Sequence, residues 1–252
     1  MSDVLSREEF FAQYRFDPEK VGWIGVEVEA WTVHPETKQL IPLNPHVLEH
    51  PTRHTFKPEL PSQQIEFNTT PVSGLDELGF ELADCFAELD MLSGVYGFEP
   101  VFCPLPPSDF EQIVFPLERY LQIQKHVPAE RLRSAWVAGV HLHFGMRSMA
   151  DAILAVNKLT PKLDEMILSF GVNQARVGIY KKMAGNFAAP KIRDENHFYE
   201  IAVESGFVND PRRCWWLIRV NGVGTVELRF FDSTNDVSLI VSFAREIQAM
   251  LS

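Results

Sequence analysis

Polar and apolar side chains alternate in four separate stretches of the chain. In residues 23–33, Ile24, Val26 and Val28 fall on one side of an extended strand, and Glu27 and Glu29 fall on the other, about 7 Å apart. Residues 63–69 repeat the device, with Ile65 and Phe67 opposed to Gln64, Glu66 and Asn68. Residues 135–146 set Val140, Leu142 and Phe144 against His141 and His143. Residues 224–232 set Val226, Leu228 and Phe230 against Glu227 and Arg229, and the turn Asn221-Gly222-Val223-Gly224 joins them to a strand over 214–220 as a hairpin. A period of two with one apolar face describes antiparallel strands covered on one side.

Between these stretches the period changes to that of a helix. Leu75, Leu78, Leu82, Phe86, Leu89 and Leu92 make 75–96 a strongly amphipathic helix. Helices are also expected over 5–14, with Ser6 and Glu9 as a capping box, over 111–125, over 149–170 with a break near Pro161, over 194–205 with Asp194 as cap, and over 236–251. Residues 34–58 contain four prolines before Pro58 and read as a hairpin and loop. Residues 99–108 read as a short strand and a proline-rich turn, and 172–193 as a basic loop. Without repeats or a linker, residues 1–252 are expected to be a single domain. Its class is α+β, a mainly antiparallel sheet with helices packed on one face.

If the four strands lie side by side, their polar face gathers Glu27, Glu29, Glu66, His141, Glu227 and Arg229. Carboxylate oxygens with an imidazole suit Mg²⁺, with Mn²⁺ as the alternative, and an adjacent arginine suits a phosphate. Each piece alone has a plainer reading. Glu27 and Glu29 also fit a solvated strand face, His141 a hydrogen-bonded histidine, and the HxH pair a zinc site. Glu227 and Arg229 fit a same-face ion pair. No GxxxxGK[ST] or GxGxxG loop is present, so side chains and metals would have to hold any nucleotide phosphates.

Composition narrows the partners. A net charge of -11 argues against a nucleic-acid groove or an anionic membrane as the main partner. Three cysteines, Cys85, Cys103 and Cys214, are widely spaced and suggest neither a disulfide framework nor a zinc ribbon. With no signal-peptide pattern at the N-terminus and no run of membrane-spanning length, a soluble cytoplasmic protein is expected.

The motifs GVEVEAWTV, QQIEFNTTPV, ERYLQI, AGVHLHFGM and GTVELRFFD occur in the order seen in the glutamate–cysteine ligase type 2, or carboxylate–amine ligase, family, and the resemblance spans about residues 20–245. It implies a glutamine-synthetase-like fold, a curved sheet with a funnel-shaped active site. ATP and Mg²⁺ would phosphorylate a small-molecule carboxylate, and an amine would attack the acyl phosphate to give an amide, ADP and phosphate. On the resemblance, Glu27, Glu29, Glu66, His141 and Glu227 match metal ligands, and Arg229 matches an arginine of the phosphate-transfer site. Arg176 and Lys181 match two basic positions of the catalytic set, and Arg219 joins Arg229 and Lys181 as a nucleotide contact. Two positions depart from the pattern: Ser62 stands where relatives commonly carry an acid, with Glu59 as an acid slightly upstream, and Leu217 replaces a second acid. The family's further C-terminal helical segment is also missing, which points to a contribution from another subunit, a homo-oligomer, or to a member whose chemistry has lapsed.

Overall fold

The computed structural model describes residues 4–252 apart from Ser134 and Asn186. Helix α1 (Arg7–Phe11) carries the expected capping box: the Ser6 side chain accepts from the Glu9 N–H, and the Glu9 carboxylate accepts from the Ser6 N–H. Strands β1 (Ile24–Val33), β2 (Thr55–Pro58) and β3 (Gln64–Asn68) precede the long helix α2 (Leu75–Tyr96). Then come β4 (Glu99–Val101), α3 (Glu118–His126), α4 (Ala129–Arg133), β5 (Gly139–Gly145), α5 (Met149–Leu159), α6 (Leu163–Ser169) and α7 (Gln174–Ala184). Helix α8 (Glu195–Glu204), the hairpin β6 (Ile218–Asn221) and β7 (Thr225–Asp232), and α9 (Val237–Leu251) complete the order.

The strands form one antiparallel sheet in the order β2-β3-β1-β5-β7-β6, with β4 paired to the far end of β1. The main helical layer covers one of its faces: α2 packs on β1, α9 on β5 and α5 on β6 and β7. Ile24, Val26, Val28, Val140, Leu142, Phe144, Val226 and Leu228 are buried against them, at about 1.5–3 kcal/mol for each fully buried side chain of this size. This is the expected α+β arrangement, and it leaves the other face to the polar residues.

Two segments differ from expectation. Residues 111–117 are extended rather than helical. Val114 bridges Pro61, and the Phe115 N–H donates to the Leu60 carbonyl. Pro116 explains the delay, because it disfavours helical backbone at Phe115, and α3 starts two residues later. The expected basic loop contains a true helix, α7, capped by the Asn173 side chain, which accepts from the N–H groups of Ala175 and Arg176. The segment read as hairpin and loop supplies its hairpin as expected: β2 pairs antiparallel with β3 as an edge strand.

Candidate active site

Register decides which polar side chains meet. Glu29 of β1 lies opposite Glu66 of β3, and Glu27 lies between Asn68 of β3 and His141 of β5. His143 lies opposite Glu227 of β7, which in turn faces Arg219 of β6. The strands expected to share a polar face therefore do so, and the central carboxylates come within reach of one another.

Two groups of ligand atoms result. Glu27, His143 and Glu227 each offer one atom within 4.8 Å of the others, and Glu29, Glu59 and Glu66 do the same. His141 lies between the groups, its Nδ1 3.1 Å from Glu27 and its Nε2 3.7 Å from Glu29. Sequence reasoning assigned ligand status to His141 and overlooked His143, although the same-face spacing of the pair was the available signal. It treated Ser62 as a lost acid. Ser62 is buried, its backbone tied to Leu43 and Ile113, and Glu59 from the loop before β3 completes the acidic trio.

The two groups differ in electrostatic balance. Burial resists ionisation of Glu227, but Arg219 and Arg229 outweigh it and hold the carboxyl below the ordinary range. Arg219 Nε donates to Glu227 at 2.7 Å, Arg229 Nη1 lies 3.2 Å away, and Asn221 donates at 2.6 Å. Burial likewise resists the charge on Glu27, and His143 and His141 prevail over it. In the trio the balance runs the other way. Burial first, then the charges of Glu27 and Glu59, push Glu66 well above its ordinary value. Burial and Glu29 raise Glu59. Burial pushes Glu29 up to about 7, even with Arg176, Arg229 and the Gly139 N–H at 2.7 Å working against it. Lys57, 3.4 Å from Glu66, and His141, 3.7 Å from Glu29, are the ion-pair partners the trio has among the described residues.

The expected basic residues are placed unequally. Arg229 stands at the site, and its buried Nε has no partner among the described residues. Arg219 is committed to Glu227 and to the Cys214 carbonyl at 2.7 Å. Arg176, from α7, is buried on the polar face, its guanidinium in the space over Gly139 and its charge acting on Glu29, where a bulge in β7 interrupts the ladder between Leu228 and Phe231. Its guanidinium donates to the carbonyls of Phe230 at 2.9 Å and Arg229 at 3.2 Å, supplying bonds that the bulge takes from the ladder. Its geometry is that of a support for Arg229. Lys181 is exposed, with its ammonium 4.4 Å above the Phe187 ring, and the structure does not bring it to the carboxylates. Leu217, at the other departure from the family pattern, is buried in the apolar core.

A cleft of about 720 Å³ opens beside the first group. Glu27, Asn68, His143 and Thr225 form its floor, β2 contributes Thr55 and Lys57, and the segment before β1 forms the remaining wall. Among the described residues no helix is long and apolar enough to cross a membrane.

Comparison with known proteins accords with this arrangement. The chain is 25% identical to a provisionally named glutamate–cysteine ligase 2 of Bdellovibrio bacteriovorus, a match covering 90% of this chain and 67% of that protein. A protein of Gloeobacter violaceus with the same provisional name is 26% identical over the same shares. The chain thus spans about two thirds of the length of these relatives. Among solved structures, the fold resembles a bifunctional glutathione synthetase from Pasteurella multocida, with a TM-score of 0.56 and 14% identity, covering 98% of this chain and 40% of that one. It also resembles a glutamate–cysteine ligase from Francisella tularensis in complex with AMP, with a TM-score of 0.54 and 14% identity, covering 94% of this chain and 68% of that one. The model of glutamate–cysteine ligase family 2 matches residues 23–164, more than half of the sequence, and the chain belongs to that family.

Proposed function

We propose that the protein is an ATP-dependent carboxylate–amine ligase that forms an amide through an acyl phosphate and releases ADP and phosphate. The observation that carries this reading is the pairing of two ligand groups, Glu27/His143/Glu227 and Glu29/Glu59/Glu66, on one rigid sheet face beside Arg229. The donor set fits a hard divalent cation. Buried carboxylates that raise one another's affinity for protons are stabilised by a cation in place of the proton, and His143 Nε2 is buried without a hydrogen bond among the described residues. Mg²⁺, or Mn²⁺ in its stead, would be held by these residues, with His141 between them, and would supply charge neutralisation to the phosphates.

Phosphoryl transfer demands positioning and charge compensation more than a nucleophilic side chain. Arg229 offers a guanidinium held in place on both sides, by Glu227 at its head and by Arg176 at its backbone. Arg219 fixes Glu227, and so acts on the nucleotide through that carboxylate rather than as a free donor. The sheet keeps Glu227, Arg229 and Arg219 on strands, where their separation changes little. Glutamate as the acid and a cysteine-like amine follow the names of the relatives, and self-association and a cytoplasmic location remain part of the same reading.

The test is ADP release from Mg²⁺ and ATP over a panel of amino-acid carboxylates and amines. Release that needs both an acid and an amine, and that is lost in Glu227→Gln, supports the ligase. Nucleotide binding without acid-dependent turnover would replace it with a binding protein.

A further inference from the structure

The segment between α1 and β1, residues 15–22, crosses the end of the sheet as a strap. It precedes the family match, which begins at residue 23. Its course is fixed by backbone bonds: the Arg15 N–H donates to the Gly222 carbonyl at 2.9 Å, and the Gly22 N–H to the Gly145 carbonyl at 2.8 Å. Two glycines make room for it. A Cβ at Gly224 would run into the backbone of Arg15 and Phe16, and one at Gly145 into the Lys20 carbonyl. Gly224 also has φ +78°, a conformation side chains rarely adopt. Within the strap, Asp17 caps the turn Pro18–Lys20 and pairs with Lys20 at 3.3 Å.

So held, the strap walls the 720 Å³ cleft whose floor is Glu27 and His143. It brings Arg15, Phe16, Lys20 and Trp23 to a cavity that already has Lys57 on its other side. Three cations line this one cleft in a chain of net charge -11; Lys20 is paired with Asp17 and Lys57 lies 3.4 Å from Glu66, and the other acid of the lining is Glu27, a candidate metal ligand. Arg15 has no ion pair among the described residues. The half-buried Trp23 and Phe16 add flat apolar surface. Cations, aromatic surface and an adjoining metal-ligand group are the complement of a nucleotide, and the volume exceeds what an amino acid needs.

We propose that the strap is the nucleotide-selecting wall of the site: the ribose and base lie against Trp23 and Phe16, with Arg15 and Lys20 at the polyphosphate. This rests on the ligase reading and adds the placement of the nucleotide. The test titrates the protein with β,γ-imido-ATP and Mg²⁺, reading heat and intrinsic fluorescence, in wild type, Trp23→Phe, Arg15→Ala, Lys20→Ala and Glu227→Gln. Arg15 and Lys20 are exposed, so their variants should unfold at the wild-type temperature. The expected result is fluorescence quenching in wild type that disappears in Trp23→Phe while heat persists, and a Kd raised about tenfold in Arg15→Ala and Lys20→Ala. Wild-type affinity in both cation variants with quenching intact in Trp23→Phe, but binding lost in Glu227→Gln, would overturn the placement and leave the ligase reading standing. No heat in wild type at millimolar nucleotide would overturn both.

Discussion

The two ligand groups are neighbours on one sheet, share the same burial and differ in what balances their charge. Glu227 has two arginines and an asparagine on its oxygens, so its carboxylate is balanced within the protein, while His143 Nε2 beside it has no hydrogen bond among the described residues. The trio of Glu29, Glu59 and Glu66 has Lys57 3.4 Å from Glu66, and on Glu29 the Gly139 N–H, His141 and the charges of Arg176 and Arg229, yet burial still holds all three carboxyls above their ordinary range. A buried charge without a partner either shifts its protonation or takes up a counter-ion. The first group therefore stabilises the fold as it stands, whereas the second stores a cost that a cation relieves.

The largest expected effect comes from breaking the balanced group. Arg219→Ala removes the partner bonded to both oxygens of Glu227, and loss of one member of a buried pair costs about 3–5 kcal/mol. Urea unfolding should show that drop, and a loss below about 1 kcal/mol would mean Glu227 does not depend on Arg219. The next effect is a pH dependence carried by the trio. With Glu29 raised to about 7, the folded state binds more protons than the unfolded one between the ordinary carboxylate range and pH 7. Its contribution is thus full below the ordinary value and is lost as pH rises through about 7, on the order of 2–3 kcal/mol. Melting in a chelator should fall over that window, and Mg²⁺ should restore more stability at pH 8 than at pH 5. Equal Mg²⁺ effects at both would contradict the imbalance.

A smaller effect has the opposite sign. Glu66→Gln removes a repelling charge, so the cation-free protein should gain on the order of 1 kcal/mol at pH 8, even as activity is lost. A destabilised variant would show the trio to be balanced already. Lys181→Ala should change stability by less than about 0.5 kcal/mol and leave turnover intact, since its ammonium rests on Phe187 outside the site. A large loss of turnover would return Lys181 to the catalytic set.

What the sequence made legible was what period two encodes. Glu27, Glu29, Glu66, His141, Glu227 and Arg229 sit on strands whose apolar face is buried by helices, so alternation located them and the antiparallel pairing brought them together. Glu59 lies in a loop, where no periodicity marks a residue, and only the packing of that loop delivers its carboxylate. The surroundings of Arg176 were hidden for a related reason. A helix rich in basic residues reads as solvated, yet the β7 bulge creates two carbonyls in need of donors, and nothing in the sequence around residue 176 records a bulge at residue 229. Pro116 did carry a signal, which helical spacing nearby obscured.

The most direct measurement is the stoichiometry of Mn²⁺ bound at saturating β,γ-imido-ATP, counted by electron paramagnetic resonance of the free ion in wild type, Glu66→Gln and Glu227→Gln. Two ions per chain in wild type and one in each variant is the expected result, because each substitution disables one group. A count unchanged by either substitution, or no bound ion in the wild type, would contradict the assignment of these six side chains as paired metal sites.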